Sequence, residues 1–444
     1  MSPPDAPNSR DSAAGAGERF APLAPALVAG VPGPRSRALA ARLARVESRN
    51  VTCLVPDAPV FWERAHGANV WDVDGNRFVD LSGAFGVANV GHAHPDVVDA
   101  IAAQARELLH GMGDVHPPRV KVELLEALVA RYPGGGDARG VLVSSGSDAV
   151  ETALKTAQLA TGRAGVVAFE GGYHGLAFGA LDATWRSDFR APFAARLPDA
   201  CAHARFGDAA DVTRAADALA ARGVATGAVL VEPVQGRGGE RVPPRGFLRA
   251  LRALCDERGW LLVADEVYTG FGRTGKLFAC EHEGVAPDLL CIGKGLSSGM
   301  PIAACLGRAE VMDAWPASTG EALHTQTFLG HPASCAAALA SIRALEADGL
   351  VERSASLGAR ALARARERLA SLDAVTDVRG LGLMIGVECA DAARALRACA
   401  EVLARGFILL PSGDGGRVLS LTPPLCIAES QLSAAIDALA DALA

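Results

Sequence analysis

The sequence predicts an α/β fold in which a mainly parallel sheet is flanked by helices, with a smaller α+β C-terminal domain and a short N-terminal segment. Two observations support this prediction. A chain of 444 residues, half of them hydrophobic, is long enough for two or three packed units. Short apolar runs also alternate with helical patterns from about Val97 to Ile342. Buried strands between helices are typical of a parallel sheet covered on both faces.

The N-terminal region is predicted to contribute little to the core. Residues 1–35 are rich in Pro, Ala, Gly and Ser, carry acidic residues and lack a long apolar core. This composition favours a flexible tail over a signal or transit peptide. Residues 36–96 form a predicted N-terminal segment, with a helix from Ala38 to Val46 and a hairpin from Asn69 to Asp80 that closes on an Asp-Gly turn.

The large domain is predicted over residues 97–342 and a small α+β domain over residues 343–444. The strands predicted for the large domain are Gly140–Val143, Val166–Phe169, Ala228–Val231, Leu261–Ala264, Leu289–Ile292 and Ile302–Leu306. The strands predicted for the small domain are Gly382–Glu388, Ile408–Leu410 and Val418–Leu421. We find no internal repeat, and Gly134–Gly136 is interpreted as a loop rather than a nucleotide-binding motif.

The composition argues against several classes of partner. Lys and Arg number 43 against 50 Asp and Glu, giving a net charge of −7 without a long basic run, so no nucleic acid partner is predicted. No apolar segment is long enough to predict a membrane span. The ten cysteines are scattered singly without a C-x-x-C pair, which predicts reduced core residues in a cytoplasmic protein rather than disulfides or a zinc site.

The residues that follow the predicted strands are the informative ones, because ligands of a doubly wound sheet bind beyond the carboxyl ends of its strands. The first predicted strand leads through Ser144 and Ser145 into a helix that begins near Gly146 and Ser147. Free amides at a helix N-terminus, with a glycine that allows close approach, can bind an anion. A plain helix cap with a turn glycine is equally consistent with this pattern.

Two charged residues follow neighbouring predicted strands. Asp265 ends the fourth run and Lys294 follows the fifth. A carboxylate can hold a protonated pyridine nitrogen, and a lysine can condense with an aldehyde. Each residue alone is more typical of a helix cap or of a solvated surface, but the two together favour a site for pyridoxal 5′-phosphate (PLP).

Seven ordered motifs resemble those of the class III aminotransferases, which are fold-type I PLP transferases. The resemblance extends from about Trp71 to the C-terminus. The motifs are Asn89–Pro95, Ser145–Glu151, Gly172–Gly175, Val231–Gly236, Asp265–Gly275, Gly293–Gly295 and Thr327–Pro332. The resemblance implies a fold-type I transferase that uses PLP as its cofactor.

The resemblance also implies which residues bind the cofactor. The backbone amides of Gly146 and Ser147 would hold the phosphate. Tyr173 would stack on one face of the ring and Val267 would pack on the other. Asp265 would pair with the pyridine nitrogen.

Further roles follow from the same resemblance. Glu232 would belong to the hydrogen-bonded surroundings of the site. Lys294 would form the Schiff base and, once released by the substrate amine, move the proton between the substrate Cα and the cofactor. The equivalent of Thr327 reaches the phosphate of the partner subunit in the family, so a homodimer with two shared active sites is expected. His174 is interpreted as a supporting or structural residue.

The chain departs from the family at one pair of residues. Many ω-amino acid enzymes have a glutamate after the Gln-Gly motif, and it pairs with an arginine before the C-terminal Pro-Pro that binds the carboxylate of the keto acid. Here these positions are Arg237 and Ser420. We hypothesise that Arg237 supplies the carboxylate-binding cation from the other side of the pocket. Alternatively, Arg237 pairs with a neighbouring acid, and Arg417 or no arginine takes this role.

Two aromatic residues are candidate substrate contacts, and two histidines invite a metal interpretation. Phe85 aligns with an apolar substrate position, although a core position is also consistent. Tyr268 aligns with a residue near the phenolic oxygen of the cofactor. His92 and His94 have no third ligand nearby in sequence, so no metal site is predicted and they are interpreted as turn residues near the substrate entrance.

The predicted function is a ping-pong aminotransferase. An ω-amino acid, an ornithine-like amine or a diamine would be the amine donor, and a keto acid the acceptor. An enzyme like glutamate-1-semialdehyde aminomutase, or another PLP-dependent isomerase or decarboxylase, is the first alternative, although the run Thr269–Gly275 resembles the transaminase branch more. A non-catalytic PLP-binding protein is the second.

Overall fold

The computed structural model describes residues 20–53 and 59–444. Residues 1–19 of the predicted tail lie outside this range. From Phe20 onward the chain runs along the N-terminal sheet, where Phe20 is buried and Ala26 pairs with Arg77, so packing begins before the predicted boundary at residue 36. The first helix of the described residues spans Pro34–Leu43, a few residues earlier than predicted, because the proline suits a first helical turn.

The N-terminal sheet contains the predicted hairpin and two further strands. Its strands are β1 (Trp62–His66), β2 (Asn69–Asp72), β3 (Arg77–Asp80) and, from the C-terminal part of the chain, β13 (Phe407–Ile408). The strand β13 pairs parallel to β3, and this pairing ties the N-terminal segment to the small domain. A one-turn segment, Gly83–Gly86, follows β3, and all four of its residues have positive φ angles.

A seven-stranded sheet forms the centre of the large domain. Its strands are β4 (Ala138–Val143), β5 (Gly165–Phe169), β6 (Cys201–Ala204), β7 (Thr226–Val231), β8 (Leu261–Asp265), β9 (Leu289–Ile292) and β10 (Ala303–Arg308). Their order is β4-β10-β9-β8-β7-β5-β6. The five neighbouring strands β9, β8, β7, β5 and β6 pair in parallel. The strand β10 is antiparallel to both of its neighbours, β4 and β9.

Helices cover both faces of this sheet, as predicted. Val229 and Val231 of β7 face one apolar core, and Ala228 and Leu230 face the other, because successive side chains of a strand point to opposite faces. The α-helices of six or more residues in the large domain are Pro95–Glu107, Arg119–Val129, Gly146–Thr161, Phe178–Ala183, Asp211–Ala221, Phe247–Arg258 and Pro332–Ala347. Two short α-helical turns, Ser187–Arg190 and Ala309–Met312, and three 3₁₀ segments, Ala191–Arg196, Ala279–Glu283 and Lys294–Leu296, complete the set.

The small domain is an α+β unit built on an antiparallel sheet. Its strands, in the order β11-β12-β15-β14, are β11 (Val375–Leu381), β12 (Met384–Cys389), β14 (Leu410–Ser412) and β15 (Val418–Leu421). Its helices are Leu350–Leu369, Ala392–Ala404 and Glu429–Leu443, with a short turn at Asp414–Gly416. The predicted strand at Gly382–Glu388 begins at Met384 instead, because Gly382 has a φ of 58° and forms the turn after β11.

Across the described ranges, no helix combines the length and the apolar character that a membrane crossing requires. All ten cysteines are free, and eight of them are buried.

Candidate active site

The predicted site residues meet at the carboxyl ends of β4, β7, β8 and β9. Two adjoining cavities lie there, of about 340 Å³ and 330 Å³. We name them the Asp265 cavity, which also contains Gly146 and Ser147, and the Glu240 cavity, which also contains Phe85. Both cavities share Tyr173, Arg237, Tyr268 and Lys294. A larger cavity of about 560 Å³, between Ser371 and Ala444, contains none of the predicted site residues.

One end of the Asp265 cavity is the N-terminus of the helix Gly146–Thr161. The Ser145 hydroxyl caps this helix by accepting a hydrogen bond from the Asp148 amide at 3.2 Å. A Cβ at Gly146 would lie 2.7 Å from Cγ1 of Val267, so glycine is required for the two segments to approach this closely. The first amides of the helix therefore line the cavity, which is the geometry of an anion site.

Asp265 ends β8 and lies in a buried hydrogen-bond network. Its Oδ1 accepts a hydrogen bond from the Val267 amide at 3.1 Å, and its Oδ2 lies 2.8 Å from Nδ1 of His174. Burial alone would lower the pKa of His174, but the hydrogen bond and the charge of Asp265 outweigh it, and the pKa is raised. The two hydrogen bonds thus fix the orientation of the carboxylate.

Lys294 follows β9 and projects towards the junction of the two cavities. Its Nζ lies 4.0 Å from the centroid of the Tyr268 ring. Burial lowers its pKa to about 8, although Asp265 and Glu232 act in the opposite direction. Its φ of 42° is unusual for a residue with a side chain, and such strain is concentrated at functional positions. The amine is therefore partly neutral near physiological pH, as a nucleophile or base requires.

Glu232 ends β7 and connects two loops of the site. Its carboxylate accepts hydrogen bonds from the Tyr173 amide at 3.0 Å and from the Gly236 amide at 3.1 Å. Burial raises its pKa to about 7, and the nearby Asp265 acts in the same direction while His174 opposes it. Glu232 thereby positions the loop that carries Tyr173 against the turn that carries Arg237.

The Tyr268 ring lies between two glycines. A Cβ at Gly236 would come within 2.8 Å of this ring, and one at Gly86 within 3.0 Å. The Tyr268 hydroxyl lies 3.0 Å from Oγ1 of Thr422. The close glycines therefore position the ring, and Thr422 positions the hydroxyl. Phe85 is 61% exposed and lines the Glu240 cavity, which excludes its interpretation as a core residue.

Arg237 lies in the shared part of the two cavities. Its guanidinium carbon is 5.0 Å from the centroid of the Tyr173 ring and 5.7 Å from that of Phe189. Among residues 20–53 and 59–444 it has no ion-pair partner. Arg417 instead pairs with Glu388 at 2.7 Å and does not line either cavity.

Ser420 contacts a carboxylate that the sequence analysis did not identify. Its hydroxyl donates a hydrogen bond to Oε1 of Glu240 at 2.6 Å, and the Ser412 hydroxyl donates to Oε2 at 2.7 Å. These contacts join the turn after β7 to the strands β14 and β15, whose serines are 172 and 180 residues away in sequence. No local pattern around Glu240 predicts this contact, since it depends on how the two domains pack.

The remaining predicted residues lie away from the cavities. Thr327 is exposed and lines neither cavity of its own chain. His92 lies 2.8 Å from Asp80, and His94 is buried. Within the described part of the chain, no three His, Cys, Asp or Glu side chains are grouped as a metal ion would require.

A lysine and an aspartate after neighbouring strands, beside a helix N-terminus, are the arrangement of a fold-type I PLP enzyme. The comparisons are more specific: the family model for class-III aminotransferases matches residues 54–443, and this chain belongs to that family. It is therefore a PLP-dependent aminotransferase.

Proteins of known activity and a solved structure agree with this assignment. The chain is 42% identical to an acetylornithine aminotransferase from Methanopyrus kandleri, over 87% of this chain and 94% of that protein. It is 39% identical to a 4-aminobutyrate aminotransferase from Mycobacterium tuberculosis, over 93% and 96% respectively. The structure of an amine transaminase from an uncultivated Pseudomonas species, solved with PLP bound, has a TM-score of 0.82 and 30% identity, over 90% of this chain and 98% of that one.

The residues of the Asp265 cavity fit PLP. The cavity has helix amides for a phosphate, a buried carboxylate for a ring nitrogen and a lysine with a lowered pKa for an aldehyde. Tyr173 and Val267 also line this cavity, so it offers an aromatic and an apolar side chain to a ring.

Proposed function

We propose that this aminotransferase takes the terminal amino group of an ω-amino acid, an ornithine-like amine or a diamine and transfers it to a keto acid. The observation that carries the proposal is the Glu240 cavity, which extends beyond Lys294 and contains Arg237 as a cation without an ion-pair partner among the described residues. A substrate whose amine lies at Lys294 can therefore place a distant carboxylate at Arg237. The relatives named for acetylornithine and 4-aminobutyrate support this class of substrate.

We assign the cofactor-binding roles as follows. Gly146 and Ser147 would bind the phosphate through their amides, Tyr173 and Val267 would contact the two faces of the ring, and Asp265 would face the ring nitrogen. When bound, PLP supplies an aldehyde that condenses with amines and a ring that accepts electrons from the carbon bearing the amine.

The acid–base work would fall to Lys294. Its lowered pKa suits a base that takes a proton from the substrate carbon bearing the amine and later returns it. Glu232 would hold the Tyr173 loop, and Tyr268 would place its hydroxyl beside the cofactor oxygen. These roles use only groups that line the two cavities.

Arg237 is proposed to bind the substrate carboxylate, with Phe85 and Tyr268 as the apolar walls of the cavity. A guanidinium stacked on an aromatic ring is positioned without being neutralised, and its fork of N–H groups can still bind a carboxylate through two hydrogen bonds. Arg417 is already paired with Glu388, which disfavours it for this role.

The enzyme is proposed to act as a homodimer in which each site is completed by Thr327 of the partner subunit. The exposure of Thr327, and its position outside the cavities of its own chain, support this arrangement. We also propose a cytoplasmic location, because ten free cysteines suit a reducing compartment. Cell fractionation would test the location.

The decisive experiment titrates the purified holoenzyme with ω-amines, diamines and α-amino acids while the visible absorbance of the cofactor is recorded. Loss of that absorbance with ω-amino donors, and its recovery on addition of a keto acid, is the expected result. Release of CO₂, or isomerisation without consumption of a keto acid, would instead indicate a decarboxylase, racemase or aminomutase. No response to any amine would indicate a non-catalytic PLP-binding protein.

A further inference from the structure

The Glu240 cavity contains a buried carboxylate that none of the roles proposed above uses. Glu240 is 1% exposed and has a φ of 47°, a conformation that is costly for a residue with a side chain. Gly386 of β12 makes room for it, since a Cβ at that position would lie 3.0 Å from Cβ of Glu240. The preceding turn is held by Arg379, which donates to the Gly239 carbonyl at 2.9 Å. The fold therefore holds Glu240 in one strained position at the cavity wall.

Glu240 has no cation of its own among the described residues, since the nearby Arg379, whose charge lowers the pKa of Glu240, is already paired with Asp377 and Glu388. Its two oxygens accept from Ser412 and Ser420, as described above, and among residues 20–53 and 59–444 it has no ion-pair partner. A carboxylate can accept about four hydrogen bonds, so two neutral donors do not satisfy it. Burying a carboxylate without a cation is costly unless a ligand supplies one. Burial accordingly raises the pKa of Glu240 to about 7.

The same cavity contains a cation, Arg237, that lacks an anionic partner among the described residues. Arg237 lines the Glu240 cavity, where its guanidinium lies over Tyr173, and it too has no ion-pair partner among the described residues. The cavity thus presents one anion and one cation, with Lys294 on its wall. A ligand that carries both a carboxylate and an ammonium at one end, and a second amine at the other, would satisfy all three groups.

We propose that Glu240, with Ser412 and Ser420, binds the α-ammonium group of a diamino monocarboxylic acid whose α-carboxylate is bound by Arg237 and whose terminal amine is transferred. This inference rests on the proposed function and narrows its substrate class. A simple ω-amino acid would leave Glu240 unpaired, and a diamine without a carboxylate would leave Arg237 unpaired. The enzyme would thereby recognise its amine donor by the α-amino acid end, which does not react.

The test compares two donors that differ only in the α-amino group, ornithine (2,5-diaminopentanoate) and 5-aminopentanoate. With the holoenzyme we expect kcat/KM for ornithine to exceed that for 5-aminopentanoate by roughly tenfold or more, the effect of one charge-assisted hydrogen bond. Glu240→Gln should bring the ratio to about one, through a higher KM for ornithine and a lower KM for 5-aminopentanoate, whose carboxylate no longer meets a second negative charge.

Two controls separate this effect from a general disturbance. Glu346→Gln removes a carboxylate that pairs with Arg131 and lies outside the cavity, and it should leave the ratio of the two donors unchanged. Ser420→Ala removes one donor to Glu240 and should lower the ratio only in part. The melting temperature and the cofactor absorbance of each variant report whether it folds and binds PLP.

The outcomes distinguish the inference from the function on which it rests. Equal kcat/KM for the two donors in the wild-type enzyme, or a ratio that survives Glu240→Gln, would overturn the ammonium site while leaving ω-transamination intact. Transfer of the α-amine of ornithine, detected by product analysis, would also overturn it. Failure of both donors together with activity on α-amino acids would instead refute the proposed function itself.

Discussion

Contacts between buried side chains determine how the reactive groups of this site are oriented. The contact between Asp265 and His174 is one example. Both residues are almost fully buried, at 5% and 3% exposure. The short contact between Oδ2 and Nδ1 leaves Oδ1 bonded to the Val267 amide, so the carboxylate cannot rotate without losing a bond. The direction of the Asp265 carboxylate is therefore fixed by a histidine that does not itself enter the proposed reaction.

Replacing His174 with Gln tests this support. The variant retains a donor of similar length but loses the charge, so kcat should fall roughly tenfold, the effect of one charge-assisted hydrogen bond. The visible absorbance of the bound cofactor should also change its pH dependence, which a purely structural role would not cause. His203→Gln is the matched control, because His203 is partly buried near His174 and its ring bonds to the Ala183 carbonyl rather than to a site carboxylate. Equal effects of the two substitutions would argue against the proposed support.

The pKa of Lys294 gives a prediction in pH. In the protein stripped of cofactor, only the neutral amine can react with an aldehyde, and burial lowers the pKa of this lysine to about 8. The neutral fraction grows as pH rises, so the rate at which added PLP reconstitutes the absorbance should increase with a midpoint near pH 8. A midpoint near the ordinary lysine value of 10.5 would contradict the effect of burial.

The residues that the sequence could predict are those whose neighbours in sequence belong to the same site. Asp265 and Lys294 each follow a buried apolar strand, and Gly146 begins a helix after another, so strand ends alone bring them together. Glu240 could not be found this way. Its partners Ser412 and Ser420 belong to another domain, and only the packing of the small sheet against the turn after β7 brings them into contact.

Among the secondary-structure elements, the helix Gly146–Thr161 depends on one glycine for its approach to the site. Gly146→Ala would place a methyl group 2.7 Å from Cγ1 of Val267, so the helix end or Val267 must move. We expect the affinity for PLP to fall at least roughly tenfold, because the amides leave their positions for the phosphate. Equilibrium titration with PLP, followed by absorbance, measures this loss.

The matched control alters the same helix end without filling the cavity. Ser145→Ala removes the cap of this helix and should lower the free energy of unfolding by about 1 kcal/mol while the affinity for PLP changes much less. If Ser145→Ala weakened PLP binding as much as Gly146→Ala, general helix stability rather than close approach would explain both results.

Two strands, β10 and β6, have features that the local sequence does not predict. The sequence predicts the run that became β10 but not its direction. This strand is antiparallel because it returns from β9 through a short connection, which contains the 3₁₀ turn Lys294–Leu296 but no helix long enough to cross over the sheet. The strand β6 is not predicted, because its four residues, Cys201–Ala204, include a histidine and form no apolar run. Pairing with β5 at the sheet edge determines this strand, and a local pattern does not contain that information.

For the whole molecule, the two cavities bring together all three predicted regions of the chain. Phe85 comes from the N-terminal segment, Lys294 and Glu240 from the large domain, and Ser412 and Ser420 from the small domain. A substrate in the Glu240 cavity would contact each of these regions at once. We therefore expect substrate binding to stabilise their packing as well as to align the reacting amine.

The proposed dimer leads to the last prediction, which uses two chains that each carry one substitution in the site. Lys294→Ala removes the proposed base, and Thr327→Ala removes the proposed contact with the partner's cofactor. If each site combines Lys294 of one chain with Thr327 of the other, a mixed dimer has one site with both changes and one site with neither. Mixing and refolding the two variants should therefore restore about a quarter of the wild-type activity, since half of the dimers are mixed and half of their sites are intact.

Each variant alone, refolded in the same way, provides the baseline for this measurement, and sedimentation determines whether dimers form at all. A mixture no more active than the two variants measured separately would show that Thr327 acts within its own chain or not at all. Because Thr327 is exposed and lies outside the cavities of its own chain, restored activity is the expected result. Each site would then be complete only in the dimer.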